Sequence, residues 1–133
     1  MNRLHHIAIV VDSIDKSLDW YCKLYNAKPL LDTYQDKNQL VYAQFIETEN
    51  IKIELLEPIN ENSPIKKFID KHGSGSLYHL AFEVDDLDAV DKEVRQKGGM
   101  PVSRTKEAWN GMEVMFVMFF KNSDHQLVEY VKL

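Results

Sequence analysis

The 133-residue chain has the composition of one globular domain, with 44% hydrophobic and 28% charged residues. Its 16 basic and 21 acidic residues give a net charge of -5, and no run of Lys and Arg exceeds Lys66–Lys67, which argues against nucleic acid as a partner. The one cysteine, Cys22, cannot form an internal disulfide, and the chain begins with a strand-like segment instead of a leader, so we expect a cytoplasmic protein. No apolar run approaches the roughly 20 residues of a membrane span, and we expect no membrane partner.

Residues 4–11 predict a buried first strand, because they are apolar and rich in β-branched side chains. Successive side chains of a strand point to opposite sides. His6 and Ala8 therefore share one face, and Ile7 and Ile9 share the other.

A helix, three strands and a second helix follow this strand. Asp12 can cap the first helix, whose apolar residues recur at three- and four-residue spacing as far as Asn26. The second helix begins at Ser63 and Pro64, where a proline lacking its N–H is harmless. The three strands are predicted at about 28–34, 40–47 and 51–56.

The second half of the chain repeats the first half at an offset of 73 residues. The matched positions are His6 with His79, Ala8 with Ala81, Val11 with Val84, Asp12 with Asp85, and Asp15 with Asp88. The repeat predicts a strand at 77–84, a helix that stops at Gly98, and strands near 101–104, 112–120 and 126–132. Such internal similarity indicates two copies of one structural unit.

Each half therefore predicts the order βαβββ. We place the junction at the glycine-containing stretch near residue 73, with a first module at about 1–73 and a second at about 74–133. The predicted fold class is α+β, a single domain over 1–133. Its two tandem modules form a curved, barrel-like mixed sheet around a metal site.

Four polar residues at repeat-related positions are the predicted metal ligands. The first strand of each half supplies a histidine, His6 or His79, and the last strand supplies a glutamate, Glu54 or Glu129. The histidine precedes the glutamate by 48 residues in the first half and by 50 in the second. A single strand histidine or glutamate is more often structural, but the symmetric set of two imidazoles and two carboxylates suits Mn, Fe, Co, Ni or Zn.

The other histidines are not expected in this site. His5 points to the face opposite His6, and the repeat has Tyr78 at its position, so we interpret it as structural. His72 and His125 are predicted at a helix end and in a turn, both in contact with solvent.

Several strings of this chain resemble the vicinal oxygen chelate superfamily of glyoxalases, bleomycin resistance proteins and dioxygenases, and within it the methylmalonyl-CoA epimerases. The strings are those at 6–10, 53–58, 61–69 and 79–86. The resemblance implies that the metal ligands are His6, Glu54, His79 and Glu129. Glyoxalase I has the same types of ligand. It also implies a homodimer, since relatives commonly form one.

Two departures from the epimerase pattern concern the substrate. Epimerases usually carry a His-Pro-Lys segment and a glycine pair before the last ligand strand, where this chain has residues 116–126. Some also place an additional carboxylate on the third strand of the first module, near Tyr42 and Gln44 in this chain. Both departures leave the substrate open.

The resemblance implies a divalent-metal-dependent isomerase, best matched by a methylmalonyl-CoA epimerase-like enzyme. It would abstract a proton alpha to a carbonyl of a small-molecule substrate, such as an acyl-CoA thioester, through a metal-stabilised enediolate, with Glu129 or Glu54 as the proton acceptor. The alternatives are a glyoxalase I-type, lactoylglutathione lyase-like enzyme acting on a hemithioacetal, and a metal-free small-molecule binding or resistance protein. Trp109 and Phe116 either line the mouth of the site or belong to the core.

Overall fold

The computed structural model describes residues 2–133, and its elements follow the order βαβββ twice, with one helix between the two sets. The elements are β1 (Arg3–Val10), α1 (Ile14–Tyr25), β2 (Lys28–Asp36), β3 (Val41–Glu47), β4 (Lys52–Pro58), α2 (Pro64–His72), β5 (Leu77–Glu83), α3 (Leu87–Gln96), β6 (Met100–Thr105), a short 3-10 turn (Trp109–Gly111), β7 (Glu113–Lys121) and β8 (Asp124–Lys132). The predicted helices and strands are confirmed. Within residues 2–133, no helix combines the length and the apolar character needed to cross a membrane.

The strands form one mixed sheet in the order β2-β3-β4-β1-β5-β8-β7-β6, so β2 and β6 are the edge strands. β1 pairs with β4 in parallel, and β5 pairs with β8 in parallel. The hairpin partners β2, β3 and β4 are antiparallel, as are β6, β7 and β8. The predicted α+β class with a mixed sheet is confirmed.

By its contacts the chain divides into two compact units. The first unit is His6–Tyr78, and the second combines the segment through His5 with His79–Leu133. In each unit both faces of the inner strands are buried, because helices or turns pack on either side, whereas the edge strands β2 and β6 are largely exposed.

In the first unit, one face of the strands carries Glu54. Register pairs Ala8 of β1 with Glu54 of β4 and Phe45 of β3 with Glu54, and paired residues point to the same side of a sheet. The alternation of strand side chains adds His6 to this face. Further along the same face, α2 packs its buried Ile65 and Ile69 into a cluster with Ala8, Val10, Val41, Ala43 and Leu56.

The opposite face of the first unit is covered by α1. Ile14 and Tyr21 of this helix pack against Ile9, Ile46 and Leu55 of the strands. Burial of each such side chain contributes roughly 1.5–3 kcal/mol, so this cluster and the one under α2 fix which side of each strand faces which helix.

The second unit repeats this arrangement with other residues. Ala81 of β5 and Phe116 of β7 are both in register with Glu129 of β8, so these three share a face. The helix α3 covers the other face, where Leu87 and Val94 pack in a cluster with Met115, Val117 and Tyr130.

The start of α1 differs from its prediction. Ser13, not Asp12, is the N-cap, and its hydroxyl accepts a hydrogen bond from the backbone N–H of Lys16. The carboxylate of Glu57 accepts from the N–H of Ile14 at 2.7 Å. β4 therefore supplies a second cap for α1. Because the two segments are far apart in the sequence, the local pattern of residues cannot predict this contact.

Candidate metal centre

The first histidine–glutamate pair lies inside the first unit. His6 extends from β1 and Glu54 from the neighbouring strand β4, and the His6 Nε2 to Glu54 Oε1 distance is 3.4 Å. Their residues are 1% and 7% exposed. The ring of Phe45 stands nearly perpendicular to the His6 imidazole, at a centroid distance of 5.1 Å and an angle of 89°. The His6 imidazole therefore lies between the Glu54 carboxylate and the Phe45 ring.

The second pair has the same composition and is formed inside the second unit. His79 of β5 lies 2.8 Å from Glu129 of β8, measured from Nε2 to Oε2. Both residues are buried. Phe116 meets the His79 ring at 5.1 Å and 82°. Each unit therefore supplies one imidazole, one carboxylate and one phenyl ring from equivalent strands.

The four predicted residues form one group. His6, Glu54, His79 and Glu129 each offer a ligand atom, and these atoms all lie within 4.8 Å of one another. Ligand atoms that bind one first-row cation at about 2.1 Å are about 3–4 Å apart, a spacing that this limit accommodates. Neutral imidazole and carboxylate are donors that Mn, Fe, Co, Ni and Zn accept. A buried donor set of this chemistry fits a divalent metal site.

Tyr42 and Gln44 of β3 do not lie on the face of Glu54. Register pairs Gln44 with Leu55, the neighbour of Glu54, so the Gln44 side chain points to the α1 side. Its amide group donates to the carbonyls of Leu31 and Phe45 and accepts from the Thr33 hydroxyl. Gln44 therefore holds the irregular part of β2 in place.

β3 contributes no buried carboxylate to the face of Glu54, since Glu47, the last residue of the strand, lies on this face but is exposed. The other β3 residues on this face are Val41, Ala43 and Phe45, all apolar and nearly inaccessible. Asp36 of β2, which is in register with Val41, is buried, but its carboxylate accepts hydrogen bonds from the N–H groups of Asn38 and Gln39. Asp36 thus stabilises its own turn.

The remaining histidines lie outside the group of four. His5 is buried beside His6 in β1 but on the other side of the strand. His72 ends α2 and is exposed, as predicted. His125 is also exposed, but it lies in β8 and not in the predicted turn, because the β7–β8 hairpin turns two residues earlier, at Asn122 and Ser123.

Tyr78, the repeat counterpart of His5, is an ionisable group next to His79. Burial raises the pKa of its phenol above the ordinary value, so the phenol stays neutral near pH 7. Tyr78 packs against the cluster under α2 and meets the Phe68 ring at 4.9 Å. Its position therefore supports the packing of α2.

Phe45 lies beside the His6–Glu54 pair, and the sequence did not indicate this position. Phe45 precedes Glu54 by nine residues, whereas Phe116 precedes Glu129 by 13, so the two phenylalanines do not share a spacing. Only the register of each hairpin shows that both are paired with a glutamate.

Comparison with known families agrees with this fold. The model of the Glyoxalase/Bleomycin resistance protein/Dioxygenase superfamily matches residues 5–116. The chain belongs to this superfamily, and the resemblance to the vicinal oxygen chelate proteins is confirmed.

Similar proteins within the superfamily are named as epimerases. A mitochondrial methylmalonyl-CoA epimerase of Dictyostelium discoideum is 37% identical over 90 residues, 65% of this chain and 52% of that protein. An ethylmalonyl-CoA/methylmalonyl-CoA epimerase of Cereibacter sphaeroides is 31% identical over 120 residues, 88% of each chain. A variant of Streptomyces coelicolor methylmalonyl-CoA epimerase in complex with 2-nitronate-propionyl-CoA has a TM-score of 0.84 and 26% identity, covering 99% of this chain and 94% of that one. The chain spans about half the length of the Dictyostelium relative.

Proposed function

We propose that this chain is a divalent-metal-dependent epimerase that exchanges the α-proton of a 2-substituted malonyl-CoA thioester, with methylmalonyl-CoA as the first candidate. The observation that carries the proposal is the buried group of His6, Glu54, His79 and Glu129, whose ligand atoms lie within 4.8 Å of one another. The names of the Dictyostelium and Cereibacter relatives support the same reaction. The acyl-CoA compound bound to the Streptomyces epimerase supports the substrate class.

Two neighbouring oxygens are the feature that such a substrate offers to the site. When bound by the four residues, a divalent cation supplies a Lewis acid that stabilises the negative charge formed as the α-proton leaves. His6 and His79 serve as neutral ligands in this proposal. Because all four residues are buried, little water competes for the charge, and electrostatic interactions are stronger than at a surface.

Glu129 and Glu54 are the proposed acid–base groups. One carboxylate takes the proton from the α-carbon, the C–H bond breaks, and its electron pair moves toward the carbonyl oxygen. Return of a proton to the opposite face of the carbon, from the other glutamate or from water, inverts the centre. The buried part of β3 favours this assignment, because Val41, Ala43 and Phe45 offer no alternative base there and Glu47 of the same face is exposed at the end of the strand.

The first experiment measures incorporation of solvent deuterium into methylmalonyl-CoA by protein loaded with Co²⁺, Zn²⁺, Mn²⁺, Ni²⁺ or Fe²⁺. We expect exchange of the α-proton with at least one metal and none after treatment with a chelator. A protein that binds metal but exchanges no proton refutes the epimerase proposal. If that protein instead converts methylglyoxal and glutathione to a thioester, detected by absorbance, the lyase alternative is correct.

Substitution of the two glutamates tests their role. Glu129→Gln and Glu54→Gln each remove a base of nearly the same shape, and we expect exchange to fall by about 10²–10⁴-fold. Glu57→Gln is the matched control, since Glu57 lies on the same strand as Glu54 and caps α1. Equal rates for Glu54→Gln, Glu129→Gln and Glu57→Gln would exclude both glutamates from the chemistry.

The homodimer and the cytoplasmic location stay predictions, to be tested by light scattering and by cell fractionation.

A further inference from the structure

Lys52 lies next to both members of the first histidine–glutamate pair. Register pairs it with His6 of β1, and it precedes Glu54 by two residues on β4. Paired residues, and alternate residues of one strand, point to the same side of a sheet, so Lys52 shares the face of this pair. Because neighbouring strands lie about 4.8 Å apart, the flexible stem of Lys52 brings its ammonium group within reach of a molecule bound beside His6.

The fold does not require a charge at this position. In the second unit, Leu127 stands two residues before the glutamate of the pair, and it is in register with Met118 of β7. Lys52 is instead in register with Glu47 of β3. An equivalent strand therefore accepts two apolar side chains where the first unit has two charged ones. Lysine is also depleted from strands, so packing does not account for Lys52.

The charge of Lys52 is not neutralised by a carboxylate of this chain. Lys52 is half-buried, whereas Glu47 is exposed. Among the described residues, no ion pair includes Lys52. An ammonium group that is partly removed from water gains most from an anionic partner. The face of the His6–Glu54 pair thus carries a cation suited to an anionic group of a bound molecule.

We propose that Lys52 binds the free carboxylate of the malonyl thioester and so selects this substrate over acyl-CoA thioesters that lack the carboxylate. The inference rests on the proposed function and adds a residue that determines its specificity. The ammonium group donates a charge-assisted hydrogen bond to a carboxylate oxygen. Its positive charge also offsets the repulsion between this carboxylate and the nearby Glu54.

The test compares the binding of methylmalonyl-CoA and propionyl-CoA, which is the same thioester without the carboxylate. Calorimetric titration of the metal-loaded protein with racemic methylmalonyl-CoA reports binding, because the two epimers are already at equilibrium. We expect Lys52→Met to weaken binding of methylmalonyl-CoA by about 10–100-fold and that of propionyl-CoA by less than about twofold. Lys52→Arg, which keeps the charge, should recover most of the loss. In proton exchange, the loss in Lys52→Met should appear mainly in KM.

Lys28 of β2 supplies a matched control. It is in register with Glu47 and therefore on the same face as Lys52, but it is exposed and two strands further from His6. Lys28→Met should leave both affinities unchanged. An equal loss in Lys28→Met and Lys52→Met would indicate a general effect of charge and overturn the inference.

Two other outcomes separate the inference from the proposed function. If Lys52→Met weakens both thioesters equally, or neither, while the native protein exchanges the α-proton, the inference is wrong and the proposed function stands. If the native metal-loaded protein exchanges no α-proton, the proposed function fails, and the inference with it.

Titration of Zn²⁺ gives a readout that needs no substrate. Removal of a positive charge beside a cation site should leave Zn²⁺ affinity equal or higher in Lys52→Met. Weaker Zn²⁺ binding would mean that Lys52 supports the ligands His6 and Glu54, a structural role that overturns the inference. If circular dichroism shows that Lys52→Met does not fold, Lys52→Leu, which copies Leu127 of the second unit, takes its place in every arm.

Discussion

Replacement of Phe45 by leucine tests whether the aromatic rings beside the histidines support the metal ligands. Phe45 is 1% exposed and meets the His6 imidazole edge-on at 5.1 Å. Leucine retains an apolar side chain but loses this contact, which is worth about 0.5–1.5 kcal/mol. A small residual void adds to the loss, so we expect a total of about 1–2 kcal/mol. For a chain of this length the melting temperature should fall by about 3–6 °C for each kcal/mol.

The same substitution should also weaken metal binding, because His6 loses a neighbour that fixes its ring orientation. Loss of a residue that orients a ligand typically costs about 10–100-fold in metal affinity. The assay combines thermal unfolding of the metal-free protein with calorimetric titration of Zn²⁺. Phe119→Leu is the matched control, since Phe119 packs on the α3 side of its strand, away from the group of four. Equal Zn²⁺ affinities for Phe45→Leu and Phe119→Leu would refute the reasoning.

Three further predictions concern the scaffold. Gly99→Ala should lower the free energy of unfolding, measured in urea, by about 1–3 kcal/mol, because a Cβ at this position would lie 2.7 Å from Phe119 Cε1. Adding Phe119→Leu should recover part of this loss. If the losses of the two substitutions simply add, the contact does not exist. Glu57→Leu should cost about 0.5–2 kcal/mol by removing the second cap of α1, and hydrogen exchange should increase in the first turn of the helix. Unchanged hydrogen exchange in this turn would exclude a capping role of Glu57. Arg104 holds the pKa of Asp88 below its ordinary value through a hydrogen bond, a stabilisation that is present near pH 7 and lost as pH falls through the lowered pKa. Arg104→Gln should therefore reduce stability at neutral pH and have a smaller effect near pH 3, while an effect that grows in acid would contradict this sign.

The architecture could be predicted from the sequence because the chain repeats, and the same repeat is the basis of the prediction that four residues form the site. A shift of 73 residues aligns His6 with His79, and strand alternation then sets which side of each strand faces inward. In β1, His6, Ala8 and Val10 on one side are nearly inaccessible, and His5 and Ile9 on the other side are also buried. The alternation of side chains in a strand and the repeat of the sequence can both be recognised from the sequence alone.

Features that depend on long-range register could not be predicted in the same way. The Glu57 cap on α1 joins residues 43 positions apart, and nothing in the local sequence of either segment marks it. The irregular part of β2 contains Leu31 at φ 63°, an unusual conformation for a leucine, and its carbonyl is bound by the Gln44 amide. These contacts arise only when the hairpins have formed.

The central claim is that one divalent cation is shared by the four buried residues, and calorimetric titration of Co²⁺ tests it most directly. We expect one equivalent to bind the native chain, and His6→Ala and His79→Ala each to weaken that binding by at least about tenfold. His125→Ala, which alters an exposed residue of β8, should leave the affinity unchanged. Two independent equivalents, each lost in only one histidine variant, would show that each histidine–glutamate pair binds its own ion and would contradict the shared site.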